Sequence, residues 1–389
     1  MKSVLVLNHF AGAPGLATGT RHIEMFSRLR GWSYLVVVGD HSTVDSSATR
    51  SEKGYVALPT IPFSGNGFDR IANWMSYAAS AVSRLALGRK PDVVYASSPH
   101  LLAGLAGWIL ARRWRVPFIL EIRDLWPRIL ADMGQMDPTS PIYRALETLE
   151  AFLYAQADRI VVMAEGTGEY LIERGVPEGL ITFIPNAADP EDFEVLEDRE
   201  EIRARFGFSR FTCIYTGAHG PANGLDLLLD AAAELQDDRV DIVLVGTGPS
   251  KGDLQARALE LSLSNVRFLD PIPKSQIPQL LAAADAGVHV LADVPLFRYG
   301  VSPNKVFDYL ACGLPMVTNV PGEVGELVER SGGGLSVQPT GLATGIRELA
   351  HSDSARLSVI SKAGRRFMEQ HRSRSAMAGR LQELLDEVA

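Results

Sequence analysis

Cysteine is nearly missing: Cys213 and Cys312 are the only two among 389 residues. Apolar or small neighbours make both read as reduced, buried thiols, and a disulfide framework and a zinc spacing are excluded. No Asp-x-Asp pair occurs anywhere, so the usual carboxylate clamp for a divalent metal is absent. Long hydrophobic runs are also lacking. The longest stretch free of Lys, Arg, Asp and Glu, residues 93–111, is cut by Ser97-Ser98-Pro99-His100, which argues against a membrane-spanning helix. The opening Met1-Lys2-Ser3-Val4-Leu5-Val6-Leu7 is too short in apolar length for a signal peptide. A cytoplasmic location is expected, with surface contact at the inner face of a membrane left open. Excess positive charge is missing too: the net charge is -8, and general nucleic-acid binding needs a basic face.

What is present is enough apolar material for two cores, since 46% of the chain is hydrophobic. The charge divides unevenly. Residues 1–188 carry 18 Lys+Arg against 17 Asp+Glu, a net of +1, and the remainder carries 20 against 29, a net of -9. Two domains with different tasks fit that split.

Short β-branched runs alternate with helical patterns throughout. Strands are expected at 3–7, 34–38, 92–96, 117–121, 159–163 and 181–184, then at 212–216, 241–245, 266–269, 287–291 and 315–319. Alternation of this kind gives α/β domains with parallel, doubly wound sheets. Pro185-Asn186-Ala187-Ala188-Asp189-Pro190 breaks the pattern, and the acidic segment as far as Glu201 reads as the connection between domains. The expected division is 1–188, 189–360, and a helical tail 361–389 that could return to the first domain. Ligands in open sheets of this type bind outside the carboxyl ends of the strands, so the loops there carry the chemistry.

The strongest local feature runs from Arg298 to Pro315. Ser302 suits an N-cap, Pro303 a first helical residue, and Gly313 a helix end. Free amides at such a helix start attract an anion. Lys305 adds a cation one turn in, and Asp308 follows on the same face. Together they offer charge to a diphosphate and a carboxylate to a ribose diol; a capped surface helix with a Lys–Asp pair is the plain alternative. Gly217-Ala218-His219-Gly220-Pro221-Ala222-Asn223-Gly224 is a glycine-rich turn after a strand, open to phosphate oxygens but without the Gly-Lys-Ser/Thr of a P-loop. Gly246-Thr247-Gly248 ends the next strand, where a tight turn alone would also explain the glycines. Earlier, Glu121-Ile122-Arg123-Asp124-Leu125-Trp126-Pro127 puts three charges at the end of a buried strand, where they must be solvated, paired or used. A structural Arg123 network is the alternative. His9, His100 and the Gly19-Thr20-Arg21 turn lie at similar strand ends and could serve packing or helix starts alone.

Taken in order, these pieces resemble retaining glycosyltransferases of family 4, with the GT-B fold of two Rossmann-like domains facing a central cleft. The likeness runs over nearly the whole chain. It is carried by Gly19-Thr20-Arg21, Glu121 to Pro127, Ile184 to Asp189, Gly217 to Asp226, Val245 to Gly248, and Ser302 to Pro315. The Asp124-Leu125-Trp126-Pro127 and Ser302-Pro303-Asn304-Lys305 variants resemble a bacterial branch that moves N-acetylated amino sugars in capsule, exopolysaccharide or O-antigen assembly. The resemblance implies a UDP-sugar donor in the second domain and a saccharide or polyprenyl-diphosphate-linked acceptor in the first. No metal or cofactor is expected. Implied donor contacts are Gly19, Arg21, Gly217, His219, Gly220, Asn223, Gly246, Ile272, Arg298, Ser302, Asn304 and Asp308. Asp124, Lys305 and Glu121 are the implied catalytic residues, and His100, Arg123 and Trp126 the acceptor side. The chain departs from the family at Gly300, where a first glutamate is common, and at Ala218 and Asn223, where many members carry Arg and Lys. An epimerase on the same fold, or a silent nucleotide-binding partner protein, are the rival readings. Ile71, Trp74, Met75, Ala78, Val82 and Leu85 are spaced to share a helix face, which is either core-facing or able to rest on lipid.

Overall fold

β-branched and aromatic runs form the strands because parallel pairing buries both their faces. The computed structural model describes residues 1–12, 20–40, 54–63, 68–85, 88–98 and 100–389, with the side chains of Phe68 and Arg298 outside that set. Gly19 also lies outside the described residues. The chain divides into two units, 1–185 with 375–389, and 186–374.

In the first unit the strands are β1 (Lys2–Leu7), β2 (Trp32–Gly39), β3 (Tyr55–Leu58), β4 (Val93–Ser97), β5 (Phe118–Ile122), β6 (Arg159–Val162) and β7 (Ile181–Phe183). They lie in the order β3-β2-β1-β4-β5-β6-β7. All neighbours are parallel, and Val4 of β1 sits beside Tyr34 of β2 and Val93 of β4. β4 and β5 are buried along their whole length. Strand order reverses on either side of β1, so its carboxyl end with that of β4 is the switch point of this sheet.

The second unit contains β8 (Phe211–Thr216), β9 (Val240–Val245), β10 (Val266–Leu269), β11 (Ala286–His289), β12 (Met316–Thr318) and β13 (Gly334–Ser336). Their order is β10-β9-β8-β11-β12-β13, again all parallel. Its switch point lies between β8 and β11. Apolar side chains fill the layers on the two faces of this sheet, with Val306, Phe307 and Leu310 in one core and Leu228, Leu229 and Ile346 in the other.

Three expectations change. The acidic stretch is no linker: Asp198 caps a helix over Arg199–Phe206, and Phe193 and Ile202 enter the second unit's core. The tail divides, because the helix Ser354–His371 belongs to the second unit while 375–389 pack on the first. There Gln382 accepts from the Arg30 amide at 2.9 Å and Asp386 from the Trp32 indole at 3.0 Å. The helix Phe68–Leu85 buries Asn73, Tyr77 and Ala81 against the sheet, and leaves Ile71 and Met75 exposed. No described helix is long and apolar enough to cross a membrane.

Candidate active site

Beside the first switch point, β5 carries a carboxylate inside protein near its end. Glu121 is 1% exposed. It accepts from Ser97 Oγ at 2.6 Å, Tyr95 Oη at 2.7 Å, His22 Nε2 at 2.9 Å, and Arg21 at 3.2 and 3.3 Å. Burial alone would raise this carboxyl, but Arg21, His22 and Arg123 hold it well below the usual range. Burial lowers His22, with Glu121 opposing. Arg21 also donates to the carbonyls of Ile184 at 2.7 Å and Pro185 at 2.8 Å. Arg21 and Glu121 thus tie the helix Arg21–Phe26, β5 and the end of β7 into one network, and both carboxylate oxygens are engaged within it.

Beside this network, His9 Nδ1 lies 2.7 Å from His100 Nε2. His100 caps the helix Leu101–Trp114, where its Nδ1 accepts from the Ala103 amide at 3.3 Å. That bond assigns the proton of His100 to Nε2, which donates to His9. Aromatic rings wall the pair: His9 stacks between Phe10 and Tyr77, Trp74 stacks on His100, and Trp126 meets Trp74 edge-on. The loop after β5 carries Arg123, whose amide donates to Ser98 Oγ at 2.8 Å, and then Asp124. Loss of water raises the Asp124 carboxyl, and Arg123 opposes the shift. His100 and Trp126, both read as acceptor residues, therefore share one aromatic cluster with Trp74, which the sequence offered only as part of an amphipathic face.

The second switch point is built from two interlocked glycine turns. The Gly217 amide donates to Val245 O and the His219 amide to Thr247 O, while His219 O accepts from Ser250. Gly246, at φ 149°, has room only for hydrogen, since a Cβ there would stand 1.9 Å from Gly217 O. Among the described residues the amides of Ala218 and Gly220 are left without a partner. Lys251 fastens the lower turn, donating to Gly246 O at 2.9 Å and Asp270 at 2.8 Å. Ile272 follows in the loop after β10, partly buried against the core.

Over these turns starts the helix Asn304–Cys312, which Gly313 ends in the left-handed region at φ 72°. Its start differs from expectation. Pro303 is the capping position, and Ser302 supplies no cap because its Oγ accepts from the Asn186 amide at 3.0 Å. Asn304 is exposed as the first helical residue. Lys305 turns inward: its Nζ donates to Tyr215 Oη at 2.8 Å, lies 4.0 Å from the Tyr215 ring, and would press on any Cβ at Gly217. No carboxylate among the described residues bonds it. Loss of water lowers this amine to about 7. His219 is buried, and burial followed by Lys251 and Lys305 lowers its ring. Tyr309 fixes the helix to β8, its hydroxyl meeting the Thr216 amide at 2.9 Å. Asp308 lies one turn after Lys305.

Gly217, His219, Gly220, Asn223, Gly246, Lys305 and Asp308 thus gather at one switch point, whereas Arg21 and Glu121 gather at the other. Tyr215 and Tyr309 escaped notice because both stand in runs that read as core. A cation, unpartnered amides and a helix start form a group suited to an anion.

Residues 15–187 match the family described as Glycosyl transferase 4-like domain, and residues 210–352 match Glycosyl transferases group 1. The Probable glycosyltransferase WbjE of Pseudomonas aeruginosa is 26% identical over 71% of this chain and 70% of its own length. The D-inositol 3-phosphate glycosyltransferase of Nocardia farcinica is 32% identical over 50% of this chain, a match spanning 45% of that relative. Among solved structures, Anabaena HepE in complex with UDP-glucose superposes with a TM-score of 0.75 at 19% identity, covering 100% of both chains. Sucrose-phosphate synthase from Thermosynechococcus elongatus gives 0.80 at 17% identity, covering 100% of this chain and 99% of its own. The fold is therefore GT-B, and successive parts of the chain match a glycosyl transferase 4-like domain and then glycosyl transferases group 1.

Proposed function

We propose that the chain transfers a sugar from a UDP-sugar to a hydroxyl of a saccharide or lipid-linked acceptor, with retention of anomeric configuration and without a metal. The observation that carries this reading is the second switch point, where Lys305, the free amides of Ala218 and Gly220, and the start of the helix Asn304–Cys312 converge. Such a group neutralises a diphosphate through preorganised donors, which are worth most where charge develops in the transition state. The complex of Anabaena HepE with UDP-glucose supports a donor of this class.

In this mechanism the bond from the anomeric carbon to the β-phosphate oxygen breaks while the acceptor oxygen bonds the same face. The departing phosphate oxygen takes the acceptor proton, so no protein nucleophile is required. Asp308 holds the ribose diol, and the loop after β10 with Ile272 lies beside the base. In the first unit, Asp124, Arg123, His100 and Trp126 present the acceptor. Glu121 acts through Arg21 and His22, as a positioning residue. An N-acetylated amino sugar, moved in surface polysaccharide assembly on the cytoplasmic side, is the finer form of the proposal. It rests on the Asp124-Leu125-Trp126-Pro127 and Ser302-Pro303-Asn304-Lys305 variants.

The test is incubation with labelled UDP-sugars in EDTA, with and without an acceptor extract. Acceptor-dependent release of UDP, greatest with a UDP-N-acetylamino sugar, is the expected result. Epimer formation without acceptor, or binding without turnover, would overturn the proposal, and loss of turnover in EDTA would remove its metal-free form.

A further inference from the structure

Two residues of the glycine turn, Ala218 and Asn223, converge on one side chain. Both lie against one hydroxyl: Tyr215 Oη is 2.9 Å from Ala218 O and 2.9 Å from Asn223 Oδ1. The same oxygen accepts from Lys305 Nζ. A phenol has one proton to donate and lone pairs to accept, so Tyr215 spans the turn and the helix that carries the cation. Lys305 is held beneath Gly217, against an aromatic face, away from any described carboxylate.

We propose that Tyr215 is the positioning residue that stores the Lys305 amine beneath the turn, and that a diphosphate entering the turn binds together with one proton from solvent, taken up by that amine. This rests on the donor reading above. The reason is electrostatic. A lysine amine deprived of water and of a counter-charge sheds its proton readily, and an anion brought within contact distance restores it. Burial alone sets its level near 7. The groups facing it are silent at mildly alkaline pH. From β8, Tyr215 is pushed far up by burial, and Tyr309 on the helix itself is likewise raised. His219 in the turn and His289 at the end of β11 are both lowered, mainly by burial, and stay neutral. Asp308 stands one turn on along the same helix. Lys251, which fastens the same turn, already bonds Asp270, and Lys305, lowered to about 7, is the amine placed to take a proton when the anion arrives.

Calorimetric titration with UDP, in buffers of differing ionisation enthalpy at pH 8.5, counts the protons taken up. The full chain is expected to take up close to one, and its UDP affinity to fall about tenfold per pH unit from 8 to 9. Lys305→Met is expected to bind UDP more weakly with no uptake and a flat pH dependence. Tyr215→Phe is expected to move the pH midpoint of UDP binding, while Asn223→Ala, which removes only another partner of the phenol, leaves it in place. Tight UDP binding without proton uptake in the unsubstituted chain overturns the inference and leaves the donor reading standing. Uptake that persists in Lys305→Met, or a midpoint unmoved in Tyr215→Phe, also overturns it. Absence of UDP binding removes both.

Discussion

The two switch points solve opposite electrostatic problems. Beside the β1/β4 switch point, near the end of the neighbouring β5, the first unit supplies its own anion, Glu121, and surrounds it with Arg21, His22, Tyr95 and Ser97 until both oxygens are engaged. At the ends of β8 and β11 the second unit supplies a cation and free amides, and brings no carboxylate to them among its described residues. A satisfied charge is an element of stability, and an unsatisfied one is an element of binding. The neighbourhood of the switch point therefore serves as a structural keystone in one sheet and as an anion receptor in the other. Net charge alone would mislead here: the half with a net of -9 holds the anion receptor.

The sharpest way to break this comparison is Glu121→Gln. It leaves the Arg21 guanidinium buried without its counter-ion, and breaking a buried pair costs about 3–5 kcal/mol. The thermal midpoint should fall steeply, while UDP affinity of the folded protein at low temperature stays unchanged. The pH dependence has a definite sign. The Glu121 carboxyl is held below its ordinary 4.5, so its contribution is complete above that value and is lost as pH falls further. His22 is held below its ordinary 6.5, so stability also drops as pH falls through 6.5, when only the unfolded ring takes a proton. Urea titrations from pH 7 to pH 3 should show both steps, with the lower one missing in Glu121→Gln. A thermal midpoint and an acid limb unaltered by the substitution would show that the network is not a keystone.

Lys305→Met tests the other half. Its removal takes away one preorganised donor to the leaving group, and such a loss costs about 2.7–4 kcal/mol, or about 10²–10³ in kcat. The thermal midpoint should hold or rise, because an uncompensated amine has left a partly buried site. Activity and stability then separate cleanly between the two switch points. A Lys305→Met enzyme with undiminished kcat would leave the second switch point without its cation.

Local features were legible in the sequence, and distant pairings were not. The glycine turns, Lys305, Asp308 and the Gly313 helix end follow from short-range rules of sterics and helix geometry, and the other strands of both sheets, all but β3 and β13, follow from apolar runs. Ser302 was misread as a cap because its competitor for the hydroxyl, the Asn186 amide, is 116 residues away. The pairing of Glu121 with Arg21 was not legible because Arg21 stands 100 residues earlier, and only the sheet brings them together. The acidic segment as far as Glu201 looked like a linker because its charge concealed a cap, Asp198, and the buried Phe193. β3 and β13 were not legible, and length alone is not the reason, since β7 and β12 are as short; Gly334-Leu335-Ser336 simply lacks an apolar run.

The smallest expected effect concerns Asp308, and it probes whether the second switch point reads more than charge. If the receptor only neutralised phosphate, a carboxylate one turn beyond Lys305 would repel the ligand, and Asp308→Asn would tighten UDP. A carboxylate that accepts from both ribose hydroxyls instead contributes about 1.5–3 kcal/mol, the range for hydrogen bonds to charged groups. Asp308→Asn should then weaken UDP by about 10- to 150-fold. Repulsion from the diphosphate offsets part of that gain, which places the expected value near the lower end. Comparison with 2′-deoxy-UDP separates the two terms. The unsubstituted chain should prefer UDP over the deoxy compound, and Asp308→Asn should lose that preference, because the hydroxyl has no carboxylate left to meet. Equal affinity for the two nucleotides in the unsubstituted chain would mean that Asp308 faces the helix rather than the ribose.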